Sequence, residues 1–229
     1  MERPEIEVWK NSTDIQGERR EKLISEFDSI ADRIFKKEPA ALKQLEAFFF
    51  NETTGVALAS DSDRLVGYNI YKRLQMSGKT VLYSAVTNVR PEYQSGGLRR
   101  RFLKSVLRSE LNSNDPGSVF LAFRTRNPII WHVFSQCCDP LVPNYRAGST
   151  IDEELVDLGV AVAKEIFPKL EVERPTMIMR NAFDWISYQS QPLHKDPEIN
   201  QAFFKDLSGT DGIFAIGKAR GDLLESWLS

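Results

Sequence analysis

The sequence predicts an α/β fold of the α+β type, a mixed and mostly antiparallel central sheet of six to seven strands with helices on both faces. Three observations carry this prediction. From Thr54 the apolar spacing changes from helical to alternating and stays alternating, through two polar turns, as far as Val89. A helix candidate then separates that run from an apolar segment at 118–124, which joins the same sheet by a crossover and therefore runs parallel to its neighbour. Strand-like stretches return at 175–180 and 212–217. With 229 residues and no internal repeat, low-complexity tract or linker, the chain reads as a single domain, 1–229, whose C-terminal part is enlarged over about 139–210.

Taken in order, a short strand at Ile6 to Trp9 precedes an amphipathic helix over Glu18 to Lys36, where Leu23, Ile24, Phe27, Ile30, Ile34 and Phe35 recur at helical spacing. Pro39 opens a second helix toward Phe48-Phe49-Phe50, aromatic residues expected in the core or in a pocket wall. Gly55 to Ala59 and Leu65 to Tyr71 flank the turn Asp61-Ser62-Asp63-Arg64, and Ser77-Gly78 leads into Thr80 to Val89, giving three antiparallel strands in succession. Pro91 ends that run and a helix follows from Leu98 to Leu111. Asn112 to Gly117 is a polar loop. Asn127-Pro128 reads as an N-cap with proline in the first helical position, and the helix carries Ile130, Trp131 and Phe134. The prolines at 140 and 143 predict a loop from Asp139 to Ser149. Leu155, Leu158, Val162 and Ile166 share one helical face between Asp152 and Phe167, and short helices are expected over Pro197 to Leu207 and Asp222 to Leu228.

Composition excludes several classes of function. The formal charge of −2, from 30 Lys+Arg against 32 Asp+Glu, leaves no global attraction for nucleic acid or a membrane surface. The two cysteines, Cys137 and Cys138, are adjacent, so no disulfide framework exists and a reducing, cytoplasmic setting is expected. No run approaches the roughly 18 apolar residues of a membrane span, and the start MERPEIEVWK lacks the apolar centre of a signal peptide. Two histidines and a Cys-Cys pair do not offer tetrahedral metal spacing, so no metal is expected.

One stretch concentrates flexible backbone and positive charge: Glu92-Tyr93-Gln94-Ser95-Gly96-Gly97-Leu98-Arg99-Arg100-Arg101-Phe102. A strand, a glycine turn and a helix start together make an anion site, because the first helical N–H groups lack intrahelical partners and the helix dipole is positive there. The run has neither the Lys-Ser/Thr of a P-loop nor the glycine spacing of a dinucleotide fingerprint. At 100° per residue, Leu98, Phe102, Leu103, Val106, Leu107 and Leu111 share an apolar face, while Arg100, Arg101, Lys104 and Arg108 gather opposite and face solvent. Arg99 falls in the middle of the apolar face. Either it snorkels or pairs with an internal carboxylate, or it meets a ligand phosphate.

The order of elements and the run Val89-Arg90-Pro91-Glu92-Tyr93-Gln94-Ser95-Gly96-Gly97-Leu98 resemble the coenzyme A binding motif of the GCN5-related N-acetyltransferases (GNAT). The resemblance spans roughly Thr54 to Phe134 and implies a GNAT-like fold that moves an acetyl or other acyl group from coenzyme A to an amine by direct attack in a ternary complex. It implies acetyl-CoA or another acyl-CoA as donor, with Val89 against the pantetheine arm and Gln94, Ser95, Gly96, Gly97 and Leu98 around the diphosphate. Arg99 stands where the family has a small residue, so either the cofactor sits differently or Arg99 itself makes a charge-assisted contact to its phosphate. Asn127 is a candidate for the pantetheine as well as an N-cap. The family's general-acid tyrosine position falls at Phe134, which has no proton to give.

His132, on that same helix, is therefore the catalytic acid/base candidate, with packing or surface exposure as the alternative. Thr87 and Asn88 either orient substrate or serve the sheet, and neither cysteine has a neighbour that would activate it as a nucleophile. Trp131, Trp185, Tyr188 and Phe203-Phe204 are candidates for an acceptor pocket or for the core. The acceptor is expected to be a small-molecule or peptide amine. Two alternatives stand beside this: an acyl carrier protein docked on the basic helix face as donor, and a non-catalytic module that binds a cofactor or partner.

Overall fold

In the computed structural model of the chain, residues 3–37, 49–111, 119–146, 148–184 and 186–221 are described. The expected helix from Pro39 to Phe48, the loop at 112–117, Trp185 and the tail from Asp222 lie outside them. In chain order the elements are strand β1 (Glu5–Trp9), helix α1 (Gly17–Asp32), and strands β2 (Phe35–Lys37), β3 (Thr54–Asp61), β4 (Arg64–Met76) and β5 (Lys79–Val89). A 3-10 turn (Pro91–Gly96) leads into α2 (Leu98–Glu110), followed by β6 (Val119–Thr125), α3 (Pro128–Cys137), β7 (Cys138–Val142) and α4 (Glu153–Ile166). Then come β8 (Val172–Glu173), β9 (Ile178–Met179), β10 (Ile186–Tyr188), α5 (Pro197–Phe204) and β11 (Gly212–Ala219).

The mixed, mostly antiparallel sheet is present, but among the described residues it holds nine strands rather than six or seven, in the order β1-β3-β4-β5-β6-β11-β9-β8 with β7 also on β11. Among these strands only β5 and β6 pair in parallel. The extra strands come from segments that sequence periodicity misreads. β7 runs through Pro140 because it lies on the sheet margin, where a missing N–H costs little, and because Gly217 lets it approach: a Cβ there would meet the Cys138 Cβ at 2.5 Å. The helix expected to reach Lys36 stops at Asp32, since Phe35–Lys37 pairs instead with Ile186–Tyr188 in a separate two-stranded ribbon. Tertiary pairing overrides the helical spacing of Ile34 and Phe35.

Alternation along the strands sorts the core into layers. Leu82, Leu121 and Phe123 face α2 and α3, packing on Phe102, Val106 and Phe134. Tyr83, Ala122 and Phe214 face the other way, against Leu155, Val162 and Ala163 of α4. On that second face, α1 covers β3 and β4 with Leu23, Phe27 and Ile30. Thus α1 and α4 share one side of the sheet and cover different strands of it.

Asp211, just before β11, organises the chain between β9 and β11. Its buried carboxylate accepts from the Arg180 guanidinium at 2.7 Å, the Asn181 N–H at 3.0 Å, and the Ser208 N–H and hydroxyl at 3.1 and 2.9 Å. Burial opposes ionisation, yet these donors outweigh it and bring the carboxyl down to about 2. Because the folded value lies below the unfolded aspartate value of about 3.9, this stabilisation is complete above that value and is lost as pH falls toward about 2. Asp211→Asn is expected to cost about 1–3 kcal/mol at neutral pH. Thermal melts should show the difference from wild type shrinking as pH is lowered from about 4 to about 2, whereas a pH-independent difference would contradict the assignment.

Candidate functional site

The site begins with a local irregularity in strand pairing. Along β4 and β5 the register steps from Ile70 opposite Val86 to Tyr71 opposite Ser84, which leaves Ala85 as an extra residue. This is a β-bulge, and its signature is two consecutive side chains on one face: Ala85 packs on the α4 layer and Val86 on the α1 layer. A bulge bends its strand. β5 and β6 pair from Thr80–Val119 to Ser84–Phe123 and no further, although both strands continue. The two strands therefore splay into a wedge.

Main-chain groups line that wedge. The Arg90 N–H bonds to the Val66 carbonyl across β4 at 2.9 Å, so by alternation Val89 and Thr87 turn their N–H and C=O groups toward the open side. The Val89 carbonyl accepts from Gln94 Nε2 at 3.0 Å. The bulge also brings the side chains of Ser84 and Thr87 together, their hydroxyls 3.3 Å apart, and Asn69 donates to them at 2.9 and 2.7 Å and to the Val86 carbonyl at 3.2 Å. Asn69, almost fully buried, locks the bulge. Asn88 points to the opposite face and donates to the Tyr68 hydroxyl at 2.8 Å.

At one end of the wedge the chain turns into α2. Gly97 takes a left-handed conformation with φ 69°, available to glycine without strain, and caps the helix with no side-chain hydrogen bond and no acidic residue in the first turn. A Cβ at Gly96 or Gly97 would meet nothing within 4 Å, so the turn opens onto free space. The turn is held from outside: the Tyr93 hydroxyl reaches Asp61 at 2.5 Å, and Glu92 pairs with Arg33 and Arg64 at 3.2 and 3.3 Å.

A cavity of about 650 Å³ passes through this region. Its walls come from both faces of the sheet: Phe102 and Val106 of α2 and Phe134 of α3 on one side, Phe27 of α1 and Phe167 after α4 on the other, with Ser84, Thr87 and Asn88 between. Walls on both sides require a passage through the sheet, and the unpaired stretch of β5 and β6 supplies it. Arg99 lines this cavity, and among the described residues its Nε is buried with no hydrogen-bond partner. Burial lowers its pKa, with Tyr188 nearby working in the opposite sense. The side chain is half-buried, and among the described residues no ion pair joins it to a carboxylate.

The other candidates distribute unevenly. Asn127 is buried and acts as N-cap, accepting from the Ile129 N–H at 2.9 Å, and its side chain lies near Tyr188. His132 is not among the lining residues; its ring lies against that of His194, 4.5 Å between centroids, and burial followed by His194 lowers its pKa. Phe134 does line the cavity and stacks on Phe123 with centroids 3.9 Å apart. Burial raises the thiol pKa of both Cys137 and Cys138, which disfavours a thiolate nucleophile. Trp131 and Phe203 pack about Tyr145, away from the cavity, whereas Tyr188 and Phe49 line it. The basic face of α2 is partly used internally, since Arg101 donates to the Pro4 carbonyl at 2.5 Å. The residues that sequence reasoning missed are Asn69, Ser84 and Arg124. Asn69 and Ser84 sit inside good strand patterns, and only the bulge gives them a role.

No protein-family model matches the chain, and no curated protein does. Solved structures overlap part of it. An aminoglycoside acetyltransferase from an uncultured soil metagenomic sample, in complex with sisomicin, is 16% identical with a TM-score of 0.40 over 58% of this chain and 84% of that one. A ribosomal-protein-alanine N-acetyltransferase from Brucella melitensis biovar Abortus 2308 is 13% identical with a TM-score of 0.42 over 64% and 96%. A GNAT family N-acetyltransferase from Escherichia coli, in complex with CoA, is 19% identical with a TM-score of 0.39 over 58% and 67%.

Asn69→Leu keeps the volume but strands the hydroxyls of Ser84 and Thr87 and the Val86 carbonyl. The expected cost is about 1–3 kcal/mol, read as a fall in melting temperature of about 2–4 °C per kcal/mol for a chain of this size. An unchanged melting temperature would remove Asn69 as the lock of the bulge.

Proposed function

We propose that the protein is an acyltransferase that takes an acetyl or other acyl group from coenzyme A and places it on an amine, both substrates being bound together. The observation that carries this reading is the wedge between β5 and β6, open to both faces of the sheet and ending at an uncapped helix start. A linear thioester needs an extended main-chain edge to lie on, a cluster of donors for its diphosphate, and a route by which an amine reaches the carbonyl from the far side. The chain offers the edge at Thr87 and a route from both faces in the cavity, and the Gly96-Gly97 turn opens to free space just before Arg99, which lines that cavity.

In this reading Val89 and Thr87 present main-chain groups to the pantetheine amides, and the N–H groups that follow Gly96 and Gly97 face the diphosphate. The fit rests on two features: free space where glycine side chains would be, and an Arg99 guanidinium with an unused donor. Bound acyl-CoA supplies an activated acyl carbon. The apolar walls exclude water from it, and the Asn69 network fixes the strand beside it. Tyr188 is assigned as proton donor through its Oη, in place of the phenol that Phe134 lacks: burial raises its pKa, so it is protonated at neutral pH, and Asn127 orients it.

Calorimetry with acetyl-CoA, longer acyl-CoAs and free CoA tests the donor site. Gly96→Trp is expected to abolish binding of all three while leaving the melting temperature close to wild type. Arg99→Leu should weaken all three alike, by about 1.5–3 kcal/mol, the worth of a hydrogen bond to a charged group. The same variant should melt higher than wild type without ligand, because it removes a guanidinium whose buried Nε lacks a partner. Unchanged CoA affinity in both variants would remove the site.

Thiol release from acetyl-CoA across a panel of amines tests turnover. Tyr188→Phe should lower kcat by about 100-fold or more, the usual contribution of general acid catalysis, with little effect on CoA affinity. Release of no thiol with any amine, despite CoA binding, would leave a binding module instead of an enzyme.

A further inference from the structure

The proposed donor site accounts for Arg99 and for the face of the sheet that carries α2. It does not account for a second cation on the opposite face. Arg124 is the first residue of β6 beyond its last partner in β5, since Ser84 pairs with Phe123 and nothing on β5 pairs with Arg124. Alternation sends Phe123 toward Phe134 and Arg124 the other way, toward the end of α4 and the chain after β9. There its guanidinium carbon lies 4.2 Å from the ring centroid of Phe167 and 4.8 Å from that of Phe183.

Two aromatic faces hold a guanidinium by cation–π attraction and fix its plane, but they use none of its five N–H donors. Only the polar edge is left to find a partner. Among the described residues no carboxylate lies within ion-pairing distance of Arg124 and its side chain makes no hydrogen bond; Tyr83 and Asp184 act on it only from longer range. The side chain is half-buried, and loss of solvation is the main cause that lowers its pKa. Arg124 lines the cavity together with both rings. A buried cation without an anion is costly to keep, and a salt bridge or a polar neighbour would have relieved it cheaply. The same cavity is lined by the apolar Phe27, Ile166 and Leu170, with Asp28, Lys169 and Asp184 as its other charged residues besides the two arginines.

We propose that Arg124 anchors a carboxylate on the acyl acceptor, so that the acceptors are amines that carry a carboxylate beside an apolar group, as amino acids with apolar side chains do. A planar fork held edge-on to the cavity matches a carboxylate in bidentate geometry. The aromatic clamp sets that edge in advance, and the apolar walls take the rest of the guest. The anchor lies one residue past the apex of the wedge, so a carboxylate held there keeps an amine a few bonds away next to the splayed strands. The amine part of this statement rests on the acyltransferase reading; the carboxylate part does not.

The test is a titration calorimetry series with L-leucine, L-methionine and L-phenylalanine against their primary amides, run on wild type, Arg124→Gln and Arg124→Lys, with and without saturating free CoA. For wild type, at least one acid is expected to bind about tenfold or more tightly than its amide, the least that a charged hydrogen-bonded pair should contribute. Arg124→Gln should erase that preference and leave the amide unchanged, and Arg124→Lys should keep part of it. Equal binding of acid and amide by wild type, or no binding of either for all three pairs, overturns the proposal without reference to any variant. A loss of both acid and amide binding in Arg124→Gln with a wild-type melting temperature overturns it as well. Should acetyl-CoA fail to bind while the acid preference persists and depends on Arg124, the acyltransferase reading falls and the carboxylate site stands. Should acetyl-CoA bind while acids show no preference, only the Arg124 assignment falls.

Discussion

A main-chain donor or acceptor taken out of water must find a partner, and one short stretch of this sheet breaks that pattern. Beyond Ser84 and Phe123, β5 and β6 keep their extended conformation but lose each other, and Thr87 lines a cavity where a pairing strand would otherwise lie. The bulge at Ala85 produces that separation, and Asn69 holds it in place. The passage between the two faces and the position of the α2 start at its end both follow from where pairing stops. A ligand with amide groups spaced along a flexible arm is the natural completion of such an edge.

Charge in the cavity follows a similar logic on a larger energy scale. Arg99 and Arg124 sit on opposite faces, each with polar edge unspent, each lowered in pKa by loss of solvent. Neither helps the empty fold. In the proposed reading they meet guests that bring negative charge from two directions, and stability elsewhere offsets the cost. The Asp211 cluster is one such reserve: it fixes Asn181 and the chain around it, and so holds the wall that presents Phe183 to Arg124.

Much of this architecture was legible in the chain. Strands from Thr54 to Val89 obey a plain alternation, the turns at Asp61 and Ser77 are explicit, and the Gly96-Gly97 step before an apolar helical stripe marks the start of α2. The position of Arg99 within that stripe already required an unusual environment. What escaped detection depends on partners distant in sequence. A bulge needs two strands to define it, so Asn69, Ser84 and Ala85 read as ordinary strand residues. Arg124 looks like the polar end of a strand until Phe167 and Phe183 arrive from elsewhere. His132 has suitable chemistry, but a helix of ten residues has more than one side, and only packing shows that the side with Ile130, Val133 and Phe134 meets the cavity. β7 was concealed by proline, whose effect on an edge is weaker than its local signal suggests.

The small ribbon of Phe35–Lys37 with Ile186–Tyr188 carries one more implication. The Gln189 side chain donates to the Asp32 carbonyl at 2.9 Å from 157 positions away, and beside it Tyr188 reaches the chamber shared with Phe27 and Phe35. During synthesis on the ribosome, Phe35 must therefore wait for its Tyr188 partner until most of the polypeptide has emerged, whereas Phe27 can pack earlier on Phe49 and Tyr68. Such delayed closure slows acquisition of the native state and lengthens exposure to self-association. In a cell, demand for chaperone assistance would peak over that interval, and slowing translation early in the message would prolong it.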